Sequence, residues 1–498
     1  MMQLPKGMVV VAGGGATLLL VGVVAKAIKR LEVRLWLGLR TTLSNVKVAI
    51  SSLRPNDALS FRFDEEGFVA CDVSVKGGKI VEVSFATKKM FDCGGAILTG
   101  CFADAHTHAT KTEIVPRLRN ATGSMNGAMA CEVDDEVRWS HKNDIKRRMR
   151  FALDCAYHHG TKSLRTHLDG CASDNAEVRS EVWRAFDELR VEFEKKDFVL
   201  QGVANLFLPQ YANFQVAQKH CDEAKRHKNV VLGAYVGNVA FEPSENTTYN
   251  LNALFSQAQR LKMDVDLHID ETNDPKCCGL LSLAASLKSA RKEGFKGKVI
   301  LGHCTSLSLR DDKNLVIKEL ASFKKDLYVI ANPSTNLGLQ DRRGSAEPFC
   351  TNIPEDIPRT PQWRGLTLLQ ELRAAGVDVC AASDNVRDHW YPYGDYDMLT
   401  VLNNAIAMGH LDTAPTEGHW VDLVTATPTR AMGLPHPFVA KGAPADLILF
   451  PSARRASELF ARPQTDRIVI RKGRIQNSKL PDFKILDDLV NHKTQRTS

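Results

Sequence analysis

Four histidines and one aspartate stand where a chain could assemble a metal centre: His106 and His108 in His-Thr-His, His268 in HIDE, His303 in GHC and Asp384 in ASD. They close four separate apolar runs of the kind that form buried strands. Side chains alternate faces along a strand, so His106 and His108 leave the same side. Neutral imidazole and carboxylate suit divalent zinc or iron, and a centre that keeps a position open for water is a catalytic one. A lone histidine at a strand end is usually packed or hydrogen-bonded, but five such groups at one end of four strands are costly to bury unpaired. Glu271, three residues after His268, is suited to carry a proton from activated water to a substrate nitrogen. Gln210, in Phe-Leu-Pro-Gln, has one donor and one acceptor that suit a heterocycle edge, although its residue type and place favour an exposed loop glutamine. His167 closes another run and is a candidate to support the ligands. His158, His159, His220, His227, His410, His419, His436 and His492 fall on helical or loop stretches and read as structural.

Positioning these groups requires strands that end together. Eight apolar runs end near residues 108, 169, 206, 237, 270, 304, 333 and 384. Helix-period stretches separate them, for example 144–160, 180–196 and 366–376, the last closing on Gly376 in the manner of a C-cap. This is the sequence form of an α/β fold, a (β/α)8 barrel, with its catalytic groups at the C-terminal strand ends. The barrel is expected over 96–436. Short alternating runs with glycine turns before it, and ADLILF and DRIVIRKGRI after it, predict one small composite β domain from 43–95 and 437–480.

Of the 498 residues, 44% are apolar and 25% charged, which excludes wholesale disorder and a polytopic membrane protein. The net charge of +7 is spread without a basic block, so nucleic acid is not the implied partner. The 12 cysteines contain no CxxC pair and read as reduced thiols in a cytosol-like compartment. Residues 7–25 carry no charge and just reach the length of a membrane-spanning helix. Lys26, Lys29, Arg30, Arg34 and Arg40 follow, and this basic flank places the catalytic part on the cytosolic side. The expectation is an N-terminal hydrophobic anchor within 1–30, the alternative a soluble cytoplasmic protein.

GCFADAHTHATKT resembles the first-strand signature of the amidohydrolase superfamily. RTHLD, LPQ, HIDET, GHC, ANPSTNLGLQDRR and SDNVRDHWYPYGDYDML follow in the order of its cytosine deaminase branch. The likeness spans about residues 43–476. It implies one Fe2+ or Zn2+ held by His106, His108, His268 and Asp384. It implies further that Gln210 binds the pyrimidine edge, Glu271 shuttles protons, His303 holds the attacking hydroxide and Trp390 lines the pocket. The implied reaction is hydrolytic deamination of a cyclic amidine in a small nitrogen heterocycle, cytosine to uracil and ammonia foremost. Two departures stand out: Ala109 and Thr110 replace the usual Leu-Asp after HxH, and Asn385 stands where bacterial cytosine deaminases carry a second aspartate, beside the substrate. The alternatives are creatinine or another cyclic guanidine, hydrolysis of a cyclic amide, and a non-catalytic membrane-tethered scaffold. The amide hydrolases resemble two-metal enzymes bridged by a lysine on the fourth strand, and VVLGAYVG has none. Superfamily members often form homo-oligomers, although no interface signal is visible in this chain.

Overall fold

Two sheets account for the strands among the described residues. A computed structural model describes residues 29–87, 92–141, 143–236, 245–342 and 360–490. The uncharged run 7–25 lies outside the described residues, and with it the expected anchor. Among the described residues no helix is long and apolar enough to cross a membrane.

The first sheet begins with β1 (Thr41–Ala49), β2 (Phe68–Lys76), β3 (Lys79–Phe85) and β4 (Ile97–Gly100). The β2–β3 hairpin turns on Gly77 and Gly78, both at positive φ, the backbone that a two-residue hairpin with the strands' own twist requires. The barrel strands follow: β5 (Phe102–Thr107), β6 (Thr161–His167), β7 (Val199–Phe207), β8 (Val230–Tyr235), β9 (Val265–Ile269), β10 (Val299–His303), β11 (Leu327–Ala331) and β12 (Asp378–Ala381). The chain then returns to the first sheet with β13 (Leu447–Phe450), β14 (Ile468–Arg471) and β15 (Arg474–Ile475). The seven-stranded order is β15-β14-β13-β4-β1-β2-β3. Every residue of β13 is buried, and β13 pairs antiparallel with β4, so burial of one apolar strand ties the two ends of the chain together. Helix 29–36 buries Leu31 and Leu35 in the same core, one turn apart on one face.

The eight barrel strands run parallel in sequence order from β5 to β12. Strands covered on both faces read as continuous apolar runs, and β9, β10 and β11 are buried throughout. Helices pack outside, among them Asp144–His159, closed by Gly160 at φ 99°, and Ala176–Glu194. The latter is capped by Asn175, whose side chain accepts from the N–H groups of Glu177 and Val178. The seam between β5 and the segment after β12 is a parallel bridge from Thr107 to Asp384. There Asp384 N–H donates to His106 O at 2.9 Å, and Thr107 Oγ1 donates to Asp384 O at 2.8 Å. The barrel therefore closes on the backbone of the residues with ligand chemistry.

Candidate metal centre and active site

The C-terminal strand ends gather His106, His108, His268, Glu271, His303 and Asp384, all buried. His106 is on β5 with His108 just beyond it, His268 is on β9 and ends one residue before the strand does, His303 closes β10, and Asp384 follows β12. Asp270, His303, Cys304 and Asp384 all adopt positive φ, unusual for residues with a Cβ and concentrated at functional sites. His108 Nε2 lies 3.0 Å from His268 Nε2, and Asp384 Oδ1 lies 3.4 Å from Nε2 of both His106 and His108. Two overlapping groups could hold an ion: His106, His268, His303 and Asp384, or His106, His108, His167 and His268, with one ligand atom from each within 4.8 Å of the others.

A divalent metal fits these residues. His106 Nε2 and both carboxylate oxygens of Asp384 are buried without a hydrogen-bond partner among the described residues. Leaving such atoms desolvated and unpaired is expensive. A tetrahedron with bonds of about 2.0–2.1 Å has edges of about 3.3 Å, close to the donor separations of 3.0 and 3.4 Å. β8, by contrast, has no lysine, as the one-metal reading expects.

The electrostatics separate the two carboxylates. Burial, followed by the charge of Asp384, pushes the Glu271 carboxyl well above the usual range. Burial also opposes ionisation of Asp384, but His303 and the contacts with His106 and His108 outweigh it and hold that carboxyl well below. Burial lowers the His303 imidazole to about 3 against the pull of Asp384, and burial with neighbouring imidazoles holds His268 well below its ordinary value. His303 Nδ1 is 3.2 Å from Glu271 Oε1 and 4.0 Å from Asp384 Oδ2.

Several groups here were not singled out in the sequence. Asp169 accepts from His108 Nδ1 at 3.0 Å through either oxygen, and Thr110 Oγ1 donates to it at 2.8 Å. Asn336 Nδ2 donates to His303 Nδ1 at 3.1 Å. Buried Lys111 pairs with Asp169 at 3.4 Å and sits 3.6 Å from the centroid of the Trp390 ring. Asp169 stands in RTHLD just after a strand end, which was its only signal; the others depend on contacts between distant strands.

The expected substrate-binding residues are divided. Asn385 is buried and its Nδ2 donates to Asp388 Oδ2 at 2.7 Å, while Trp390 is half-buried. Gln210 is exposed and stands outside the buried cluster. β7 runs on to Phe207, and in the 3-10 turn Leu208–Ala212 the buried positions go to Leu208 and Tyr211. Residues three apart eclipse in such a turn, so Gln210 takes the outward position.

Residues 229–476 match the model of the Amidohydrolase family. A pterin deaminase of Rhizobium rhizogenes is 37% identical over 85% of this chain and 92% of its own length. An N-isopropylammelide isopropyl amidohydrolase of a Pseudomonas species is 24% identical over 81% of this chain and 93% of its own. Among solved structures, 5-methylcytosine deaminase from Klebsiella pneumoniae liganded with 5-fluorocytosine superposes with a TM-score of 0.67 at 21% identity, covering 89% of this chain and 98% of that one. Strand order, site and sequence agree, and the chain belongs to the amidohydrolase superfamily.

Proposed function

We propose that this protein is a metal-dependent hydrolytic deaminase that replaces the exocyclic amine of a nitrogen heterocycle with oxygen and releases ammonia. The observation that carries the reading is the buried cluster in which His303 Nδ1 lies 3.2 Å from Glu271 Oε1 and 4.0 Å from Asp384 Oδ2, with burial pushing the Glu271 carboxyl up and the imidazoles holding that of Asp384 down. Two groups whose environments drive their pKa values apart serve as acid and base in one site.

His106, His108, His268 and Asp384 would hold the ion. When bound, Fe2+ or Zn2+ supplies a Lewis acid that acidifies water near neutral pH. Asp384, kept ionised, accepts the proton of the attacking water. Glu271, kept protonated, donates to the ring nitrogen beside the amine-bearing carbon. Neutral His303 hydrogen-bonds the attacking oxygen, and Asn336 holds its ring. As the C–N bond breaks, the amine takes the proton held by Asp384 and departs as ammonia, and the proton of the added hydroxyl returns to Glu271, so water and amine exchange without redox change.

The substrate favoured is a pterin, a fused bicycle with a 2-amino-4-oxo pyrimidine ring. The 37% identity with a pterin deaminase supports it, and Asn385 in place of a second aspartate counts against cytosine. Cytosine is the second reading, favoured by the block from Asp384 through Trp390 that resembles cytosine deaminases. The test is ammonia release by the full chain loaded with Fe2+ or Zn2+ against pterin, cytosine, isoguanine, creatinine and hydrouracil. Pterin as the best substrate is expected; cytosine or creatinine instead keeps the mechanism and moves the ring. Opening of hydrouracil without ammonia overturns the deaminase reading.

A further inference from the structure

The two β5 histidines are supported differently on the side away from the ion. His108 Nδ1 faces the carboxylate of Asp169 at 3.0 Å. His106 Nδ1 faces another imidazole, His167 Nε2, at 3.1 Å. Asp266 Oδ1 is 4.0 Å from His106 Nδ1, beyond hydrogen-bond reach, and Asp266 Oδ2 accepts from Arg165 at 2.9 Å. His167 Nδ1 in turn meets the Asn205 side-chain amide, with Oδ1 at 3.2 Å and Nδ2 at 2.9 Å.

We infer that Asn205 and His167 form a relay that fixes the tautomer and orientation of His106, a role that rests on the reading of His106 as a metal ligand. The proton positions follow from one another. If Nε2 of His106 gives its lone pair to the ion, its Nδ1 carries the hydrogen and donates to His167 Nε2. A neutral imidazole that accepts at Nε2 is protonated at Nδ1, so His167 Nδ1 donates to the Asn205 amide oxygen. Each member has one orientation that satisfies both neighbours. The barrel also reserves space at both ends of the relay. A Cβ at Gly302 would lie 2.7 Å from His106 Cε1, and a Cβ at Gly233 would lie 2.4 Å from Asn205 Oδ1. His167 is fully buried and its ring centroid is 4.2 Å from that of His106, so the contact between the two rings is shielded from water that could substitute for it.

Residues that orient a metal-bound histidine change metal affinity by about 10–100-fold when removed. The test uses the full chain and Co2+ as the probe, with affinity read by competition with a chromophoric chelator and geometry read from the visible absorption of the Co2+-loaded protein. His167→Leu is expected to bind one Co2+ per chain with affinity reduced about 10–100-fold and a shifted spectrum. His167→Gln, whose amide oxygen can reach the position of Nε2, is expected to restore much of both; rescue by an acceptor separates positioning from loss of packing. Asn205→Leu is expected to weaken binding in the same sense by less. Wild-type affinity and spectrum in His167→Leu would overturn the relay, as would two ions in the wild type and one in that variant, which would make His167 a ligand. Unchanged binding in His106→Ala would instead remove the ligand reading beneath it.

Discussion

Asp72 and Asp384 are both buried aspartates, one in each part of the molecule, and they are treated in opposite ways. In the seven-stranded sheet, Asp72 accepts from the N–H groups of Asn45 and Thr87 and from the Thr87 hydroxyl. At the barrel mouth, both oxygens of Asp384 lack a hydrogen-bond donor among the described residues, its backbone is at positive φ, and imidazoles surround it. The first arrangement is what stability alone requires. The second leaves carboxylate oxygens unpaired at a cost in stability, a pattern found where strain and unpaired polarity serve function. Polar deletions at the mouth should therefore cost chemistry and spare the fold, while apolar deletions in the sheet should do the reverse.

The largest effect expected is from Asp384→Ala. Bound metal, measured by elemental analysis, and ammonia release both fall to background, while thermal unfolding of the metal-free variant occurs at or above the temperature of the metal-free wild type. A clear loss of metal-free stability would break the contrast. Glu271→Gln should retain one metal per chain and lose turnover by about 10²–10⁴-fold, the usual worth of a proton-transfer group; normal turnover would remove Glu271 from the mechanism. Leu98→Ala deletes a fully buried side chain of the sheet and should cost about 2–5 kcal/mol in denaturant unfolding, with activity per folded molecule unchanged.

The smallest effect concerns His389, buried with neither ring nitrogen hydrogen-bonded among the described residues. Burial lowers its ring from 6.5 to about 4, so the folded protein keeps it neutral where the unfolded chain takes up a proton. Its contribution is fully present above pH 6.5 and is lost as pH falls towards 4. Melting curves of wild type and His389→Leu at pH 7 and pH 5 should show the wild type losing more stability on acidification; equal losses would sever His389 from the pH response.

The barrel was legible because strands covered on both faces must be apolar throughout and the connecting helices must be amphipathic, and both patterns are local. The same holds for His106, His108, His268, His303 and Asp384, each of which closes such a run and which the structure brings together. The turn after β7 was not legible: which of residues 208–212 faces inward depends on the 3-10 pitch and on what Leu208 and Tyr211 can bury against. The fate of residues 7–25 belongs to their own hydropathy and lies outside the described structure.

What the amino-acid sequence determined by itself was the alternation of elements and the residue types at the strand ends, since periodicity and side-chain chemistry are properties of neighbours along the chain. Only the tertiary structure decided which atoms meet. His108 and Asp169 are 61 residues apart, as are His106 and His167, and Asp384 reaches His106 across the closing seam. Those distances are set by strand register and barrel closure, which couple residues that have no local means of recognising one another.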